Sequence, residues 1–225
     1  MTIIVTGAAS GLGAAIVAEL RHEMQPGAVL NFDHSQGHDV RDPARTFGAC
    51  PPSLDVLVNC AGVNKTNWLA DVADADWDEV MDVNAKGIFK MSQWALSSLR
   101  KTKGTIVNIV SNASHMPMRC SAAYNASKGA AHILTLQLAR ELSPDVTVFG
   151  ISPNKLAGTG MSRDIERQVC EQRGWTPEQA AKYQLAALLP GVETPPERVA
   201  EFIAFLLSDR ERHRYLAGCV IPYGA

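Results

Sequence analysis

The most constraining stretch of this chain is its beginning, where the strand-length apolar run Ile3 to Thr6 leads straight into Gly7-Ala8-Ala9-Ser10-Gly11-Leu12-Gly13. Ile16, Val17 and Leu20 then recur at helical spacing, so the segment predicts strand, glycine-rich turn and helix. Further apolar runs at Ala28 to Phe32, Val56 to Val58, Thr105 to Val110, Val146 to Ile151 and Cys219 to Ile221 are each short enough for a buried parallel strand. Helical patterns fill most of the gaps. Val80 to Leu99 and Ala122 to Leu142 are long enough to be crossover helices, and capping boxes at Thr176-Pro177 with Gln179 and at Thr194-Pro195 with Glu197 open two later ones. Strand alternating with helix predicts an α/β fold: a Rossmann-like doubly wound parallel sheet of about seven strands with helices on both faces. Asp33 and Asp39 lie only six positions apart, too few for a helix, so the second crossover is trimmed to a loop.

Glycines ahead of a helix favour phosphate, because the outward N–H groups and the positive end of the dipole meet it and glycine lets it approach the backbone. Gly7, Gly11 and Gly13 offer that arrangement, although such a turn is also a common helix-packing device. Asp33, 20 residues after Gly13 at the end of the second strand, is placed to accept hydrogen bonds from adenosine ribose hydroxyls. The pair predicts a dinucleotide site.

Tyr124 and Lys128 stand four residues apart, hence on one face of a helix. Such pairs are ordinary on helix surfaces. A cation about 4 Å from a phenol is nevertheless worth up to roughly 4 kcal/mol at an effective dielectric near 20, enough to bring its pKa toward the range useful for a general acid or base. Desolvation opposes that shift. Ser111, just past the strand Thr105 to Val110, lies where loops at the carboxyl ends of parallel strands gather around a ligand, and its hydroxyl could bond the reacting oxygen.

The 225 residues fit one compact domain with a large core, and the net charge of −2 supplies no basic surface for nucleic acid or anionic membrane. A small-molecule substrate is the expected partner. Five scattered cysteines form neither a CxxC nor a zinc cluster, so reduced thiols and no metal are expected. With no secretion-signal pattern and no run near 18 apolar residues, the chain is expected in the cytoplasm, away from membranes.

Taken together, these pieces resemble the short-chain dehydrogenase/reductase family along nearly the full chain. Thr6 to Gly13 is similar to its TGxxxGxG turn, Asn59-Cys60-Ala61-Gly62 to its NAG segment, Asn84 to its helix asparagine, and Ser111, Tyr124 and Lys128 to its serine and YxxxK. The resemblance implies that Asn84 holds a relay water through its backbone carbonyl and Ser111 positions the substrate oxygen. Tyr124 would exchange the proton, while Lys128 binds the nicotinamide ribose and lowers the Tyr124 pKa. It implies NAD contacts from Gly7, Ser10, Gly11, Leu12, Gly13, Asp33, Asp39, Val40, Asn59, Cys60, Ala61, Gly62, Tyr124, Lys128, Pro153, Leu156 and Thr159, with Asp39 and Val40 at the adenine. It also implies a homotetramer or homodimer built through the two long helices, and a substrate lid over 156–190 carrying Met161, Trp175 and Tyr183, with His115, Met116 and Met118 opposite.

Two departures stand out. Pro153-Asn154 replaces the family's Pro-Gly, a mild change because Asn tolerates positive φ, and Thr159 comes one position later than the threonine that meets the carboxamide. NAD is expected over NADP because Asp33 repels a 2′-phosphate and Ser10 stands where NADP-using relatives carry Arg or Lys, unless Arg41 or Arg45 folds back over the adenosine. The expected activity is hydride transfer with a secondary alcohol or ketone. A nucleotide-sugar epimerase or dehydratase, and a non-catalytic NAD-binding sensor or structural protein, are the alternatives.

Overall fold

The computed structural model describes residues 1–23, 29–186 and 188–224; Ala28, the expected start of the second strand, lies outside them. Six parallel strands, β1 (Ile3–Thr6), β2 (Val29–Phe32), β3 (Val56–Asn59), β4 (Thr105–Ile109), β5 (Thr147–Pro153) and β6 (Val220–Tyr223), form one sheet in the order β2-β1-β3-β4-β5-β6. Strands β1, β3 and β4 are buried along their whole length, because helices cover both faces. Helices α1 (Gly11–Glu23) and α8 (Pro196–Ser208) pack their Ile16, Leu20, Val199 and Ile203 on one face with Ile3, Val5, Val58 and Phe149. The other face joins Ile4, Leu57 and Ile106 to Met91 and Leu99 of α4 (Gly87–Thr102) and Ala131 and Leu138 of α5 (Ala122–Leu142). After β1 the chain turns to β2 on one side and then returns to β3 on the other. That reversal opens a crevice at the carboxyl ends of β1 and β3, the usual ligand position in an open parallel sheet.

The expectation of about seven strands is corrected to six among the described residues. Between Phe32 and Val56 the chain makes only a 3₁₀ turn at His34–Gln36 and the one-turn helix α2 (Pro43–Thr46), so the trimmed crossover leaves no further edge strand beyond β2. An aromatic cluster occupies this end instead, with Phe32 against His38 at 4.7 Å and Phe47 at 4.6 Å, and Phe47 against Trp94 at 5.6 Å. Asp39 turns back on Thr46, whose hydroxyl accepts its amide, and Val40 is buried against Gly87, where a Cβ would come within 2.8 Å of the Val40 side chain.

The helix expected over Val80 to Leu99 is longer and interrupted. It starts as α3 (Asp74–Met81), widens into a π-helical turn over Asp82–Lys86, and continues as α4. The capping box at Thr176 forms: Thr176 donates its amide to Gln179 Oε1 at 2.9 Å and accepts the Gln179 amide at 3.3 Å, opening α7 (Pro177–Ala186). The one at Thr194 does not. Helix α8 starts at Pro196, one residue later than expected, because Thr194 is drawn into a parallel bridge with Leu156 and Pro195 becomes the cap.

Candidate active site

The glycine turn is built for close backbone approach. A Cβ on Gly7 would stand 2.7 Å from the Ala61 Cα, and one on Gly13 would stand 2.0 Å from the Gly7 carbonyl oxygen. Gly7 and Gly11 also take positive φ, which costs glycine little. The first turn of α1 is thereby pressed onto the end of β1, an arrangement that fits a dinucleotide pyrophosphate at the helix amino terminus. Thr6, absent from the predicted site residues, holds this corner together: its hydroxyl oxygen accepts the amides of Cys60 and Ala61, both at 3.1 Å. Beside the turn, a cavity of about 480 Å³ is lined by Ser10, Gly11, Gly158, Thr159, Arg163 and Pro196.

Asp33 follows β2 and accepts the Ala9 amide at 3.1 Å through one oxygen and the Ser35 amide and hydroxyl, at 2.9 and 2.7 Å, through the other. Burial works to raise its pKa, but the bonds from Ser35 and Ala9 outweigh burial and hold it below the ordinary carboxylate value. It is ionised at neutral pH, and a carboxylate has room for about four hydrogen bonds. Asp39, implied at the adenine, instead has both carboxylate oxygens clamped by Arg41 at 2.7 to 2.9 Å, and that bonding pulls its pKa down. Arg45 is likewise paired with Asp42 at 2.8 Å. Neither cation folds back over Asp33.

The π turn carries Asn84 into the interior at 0% exposure. Such turns widen a helix locally and recur at functional sites. Its side chain accepts the Val63 amide at 2.8 Å and donates to the Val63 carbonyl at 2.9 Å and the Ser127 hydroxyl at 3.0 Å, tying the segment after β3 to α5. A Cβ on Gly62 would lie 3.3 Å from Asn84 Oδ1 and 3.9 Å from Lys128 Nζ, so the Asn59 to Gly62 segment, Asn84 and Lys128 converge. A buried polar ladder beneath them, Asn59 to Asn108 at 2.8 Å and Asn108 to Thr135 at 3.0 Å, was invisible in the sequence, where each residue sits in a different element.

Tyr124 is buried with Val80, Ala113 and Ala123, and Met161 packs against this group. Burial pushes its phenol pKa up, and the Ser111 hydroxyl draws it partly back. Lys128 Nζ is 5.8 Å from the Tyr124 ring centre and donates to the Ile109 carbonyl at 2.9 Å. No carboxylate pairs with this ammonium among the described residues, and burial depresses the Lys128 pKa to about 8. Cys60 is pushed up to about 12 by burial and is an inert thiol.

Within the segment expected as a lid, the chain forms the helices α6 (Gly160–Arg173) and α7. Thr159 caps α6, accepting the Ser162 amide at 3.1 Å, and its methyl lies 3.6 Å from where a Gly11 Cβ would stand, which places it at the glycine turn. Leu156 is tied by its bridge to Thr194, and Pro153 closes β5. Trp175 and Tyr183, expected as wall residues, enclose the Arg173 guanidinium at 4.5 and 4.8 Å and are engaged with each other. His115 shares the Ser114 hydroxyl with His132, while Met116 and Met118 are exposed.

A family profile described as short chain dehydrogenase matches residues 16–169. The 2-(S)-hydroxypropyl-CoM dehydrogenase 3 of Xanthobacter autotrophicus is 32% identical over 92% of this chain and 89% of its own length. Cyclopentanol dehydrogenase of a Comamonas strain is 29% identical over 88% and 76%. Among solved structures, levodione reductase superposes with a TM-score of 0.81 at 22% identity, covering 99% of this chain and 95% of that one. An actinorhodin polyketide ketoreductase with NADPH does so at 0.82 and 24%, covering 98% and 94%.

Proposed function

The chain belongs to the short-chain dehydrogenase/reductase family of oxidoreductases, and on that premise we propose that it is an NAD(H)-dependent enzyme acting on a secondary alcohol or ketone, with Tyr124 as general acid and base. The observation that carries this reading is Lys128, a buried ammonium that no carboxylate among the described residues pairs with, beside a buried tyrosine, an arrangement costly for a fold and useful for proton transfer. Gly7 to Gly13, Asp33 and the Asn59 to Gly62 segment would hold the dinucleotide, which when bound would supply or accept the hydride. Ser111 positions the substrate oxygen with a hydrogen bond from its hydroxyl, Tyr124 gives that oxygen a proton in reduction and removes it in oxidation, and Lys128 holds the nicotinamide ribose. The Asn84 backbone carbonyl holds a relay water. A screen of alcohols, sugars, hydroxy acids and steroids with NAD tests the activity; bound NAD without turnover across that screen would favour the non-catalytic alternative.

NAD(H) is expected to exceed NADP(H) in kcat/KM by at least about tenfold, the ratio equivalent to 1.4 kcal/mol. Asp33 remains ionised where a 2′-phosphate would lie, and the cations that could answer that phosphate, Arg41 and Arg45, are bound to Asp39 and Asp42. Ser10 adds no charge. Steady-state kinetics with both coenzymes decides the matter, and equal use of NADP(H) would refute the role given to Asp33.

We also expect a cytoplasmic homotetramer. Phe89 on α4 and Ile133 on α5 leave large apolar surface uncovered, at 43% and 64% exposure, on the two helices through which the family resemblance implies association. A monomer in light scattering at micromolar concentration would overturn that assembly.

A further inference from the structure

Asn154 stands where the family resemblance leads one to expect glycine, directly after β5. It is not kept for a left-handed backbone: among the described residues only Lys103 and Cys120 are non-glycine positions with positive φ. Its side chain is what the position uses. Asn154 is 8% exposed, and its Oδ1 accepts the Asn112 side-chain amide at 3.0 Å and the Lys155 backbone amide at 2.7 Å, while its Nδ2 donates to the Gly224 carbonyl. Asn112 in turn offers its Oδ1 to the Ser111 hydroxyl at 3.3 Å. The amide orientations are set by groups that have no freedom, since the Lys155 N–H requires an oxygen and the Gly224 carbonyl requires an N–H.

We propose that Asn154 is a positioning residue for Ser111, acting through Asn112. This rests on the catalytic role given above to Ser111. A serine hydroxyl has one proton and two acceptor positions. At Ser111 the Ala113 amide occupies an acceptor position at 3.2 Å and Asn112 Oδ1 stands 3.3 Å from the hydroxyl oxygen, so the two contacts fix where that oxygen sits, and its proton turns from Asn112 to the substrate oxygen when substrate binds. The Ser111 side chain is therefore held in one rotamer, with its oxygen placed to turn the proton to the substrate oxygen. Asn112 sits in a short 3₁₀ turn, which alone would hold its side chain loosely. Asn154 supplies the anchor because its own backbone amide bonds to the Tyr223 carbonyl at 3.0 Å, extending the β5–β6 pairing. The line from the sheet to Ser111 is thus three hydrogen bonds long. Glycine at 154 would leave Asn112 Nδ2 only the weak acceptor of the Met116 sulfur at 4.0 Å, and the Ser111 side chain would lose its link to the sheet.

The test is steady-state kinetics of Asn154→Ala, Asn154→Gly, Asn112→Ala and the double variant, using NAD and the most active alcohol from the screen above. Loss of one neutral hydrogen bond from this line is expected to lower kcat about tenfold in each single variant, with the KM for NAD within about twofold. The double variant should be no slower than Asn112→Ala, because both changes break one line. Independently of turnover, the Asn112 side-chain amide protons should exchange faster with solvent in Asn154→Ala, read by NMR on the cofactor-free protein. Wild-type kcat in Asn154→Gly, or full additivity in the double variant, would overturn the proposal. Should the Asn154 variants fail to fold, Asn112→Ala carries the test alone, and wild-type kcat there overturns it as well. Wild-type turnover in Ser111→Ala would instead defeat the catalytic reading of Ser111, a separate outcome.

Discussion

Tyr124→Phe is expected to lower turnover by about 10²–10⁴-fold, the usual contribution of a positioned proton-transfer group, while NAD affinity stays within a few fold. The substitution removes one oxygen and keeps the ring, and the ring makes the packing with Val80, Ala113 and Ala123. The fold around it therefore has no cause to change. What disappears is the only buried phenol among the described residues, the group proposed above to give the substrate oxygen its proton in reduction and to take it back in oxidation. Burial raises the Tyr124 pKa in the protein alone, so the resting phenol is protonated at neutral pH and is ready as an acid. Stopped-flow reduction of NAD under single-turnover conditions, with NADH fluorescence titration for affinity, separates the two effects. Retention of more than a tenth of wild-type turnover would remove Tyr124 from the mechanism.

The parts of this site that could be read from the sequence are those whose chemistry is local. Gly7, Gly11 and Gly13 sit within one turn, and the separation of Tyr124 and Lys128 is set by the helix that carries both. Asp33 was legible because a strand end following a glycine turn is a defined place in the fold. The missing edge strand was half legible: the short interval from Asp33 to Asp39 signalled the trimmed crossover, but that Val40 would turn inward onto Gly87 depends on a contact made 47 residues away. The π turn at Asn84 follows from the pull of Val63 and Ser127 on one side chain, which no periodicity encodes. Thr6, Asn108 and Thr135 look like ordinary strand and helix residues until the sheet brings them under the cleft. Thr194 failed as a cap because tertiary pairing with Leu156 outweighed a local signal worth about 1 kcal/mol.

Lys128 presents the opposite balance, a residue the fold would be more stable without. With its pKa depressed from 10.5 to about 8, the buried ammonium costs the cofactor-free protein about 3 kcal/mol at pH 7, offset only by the bond to the Ile109 carbonyl. Methionine has a similar length and no charge, so Lys128→Met is expected to make the cofactor-free protein more stable by about 1–3 kcal/mol at pH 7. The dependence on pH has a definite sign. Below pH 8 both folded and unfolded states hold the proton and the penalty is fully present; between pH 8 and 10.5 the unfolded chain holds more protons than the folded one, so wild-type stability rises with pH. The variant lacks that gain, so the gap between the two unfolding free energies should narrow strongly by pH 10 and close above pH 10.5. Turnover should move the other way, falling by about 10²-fold or more with weaker NAD binding, since one substitution removes both the charge beside Tyr124 and the proposed ribose contact. Urea unfolding of both proteins at pH 7 and pH 10 measures the first half, and coenzyme titration with kinetics the second. A variant that is less stable than wild type at pH 7, with an unchanged difference at pH 10, would mean that the ammonium is a structural group. A stabilised and inactive one would identify it as a charge held in the core for chemistry.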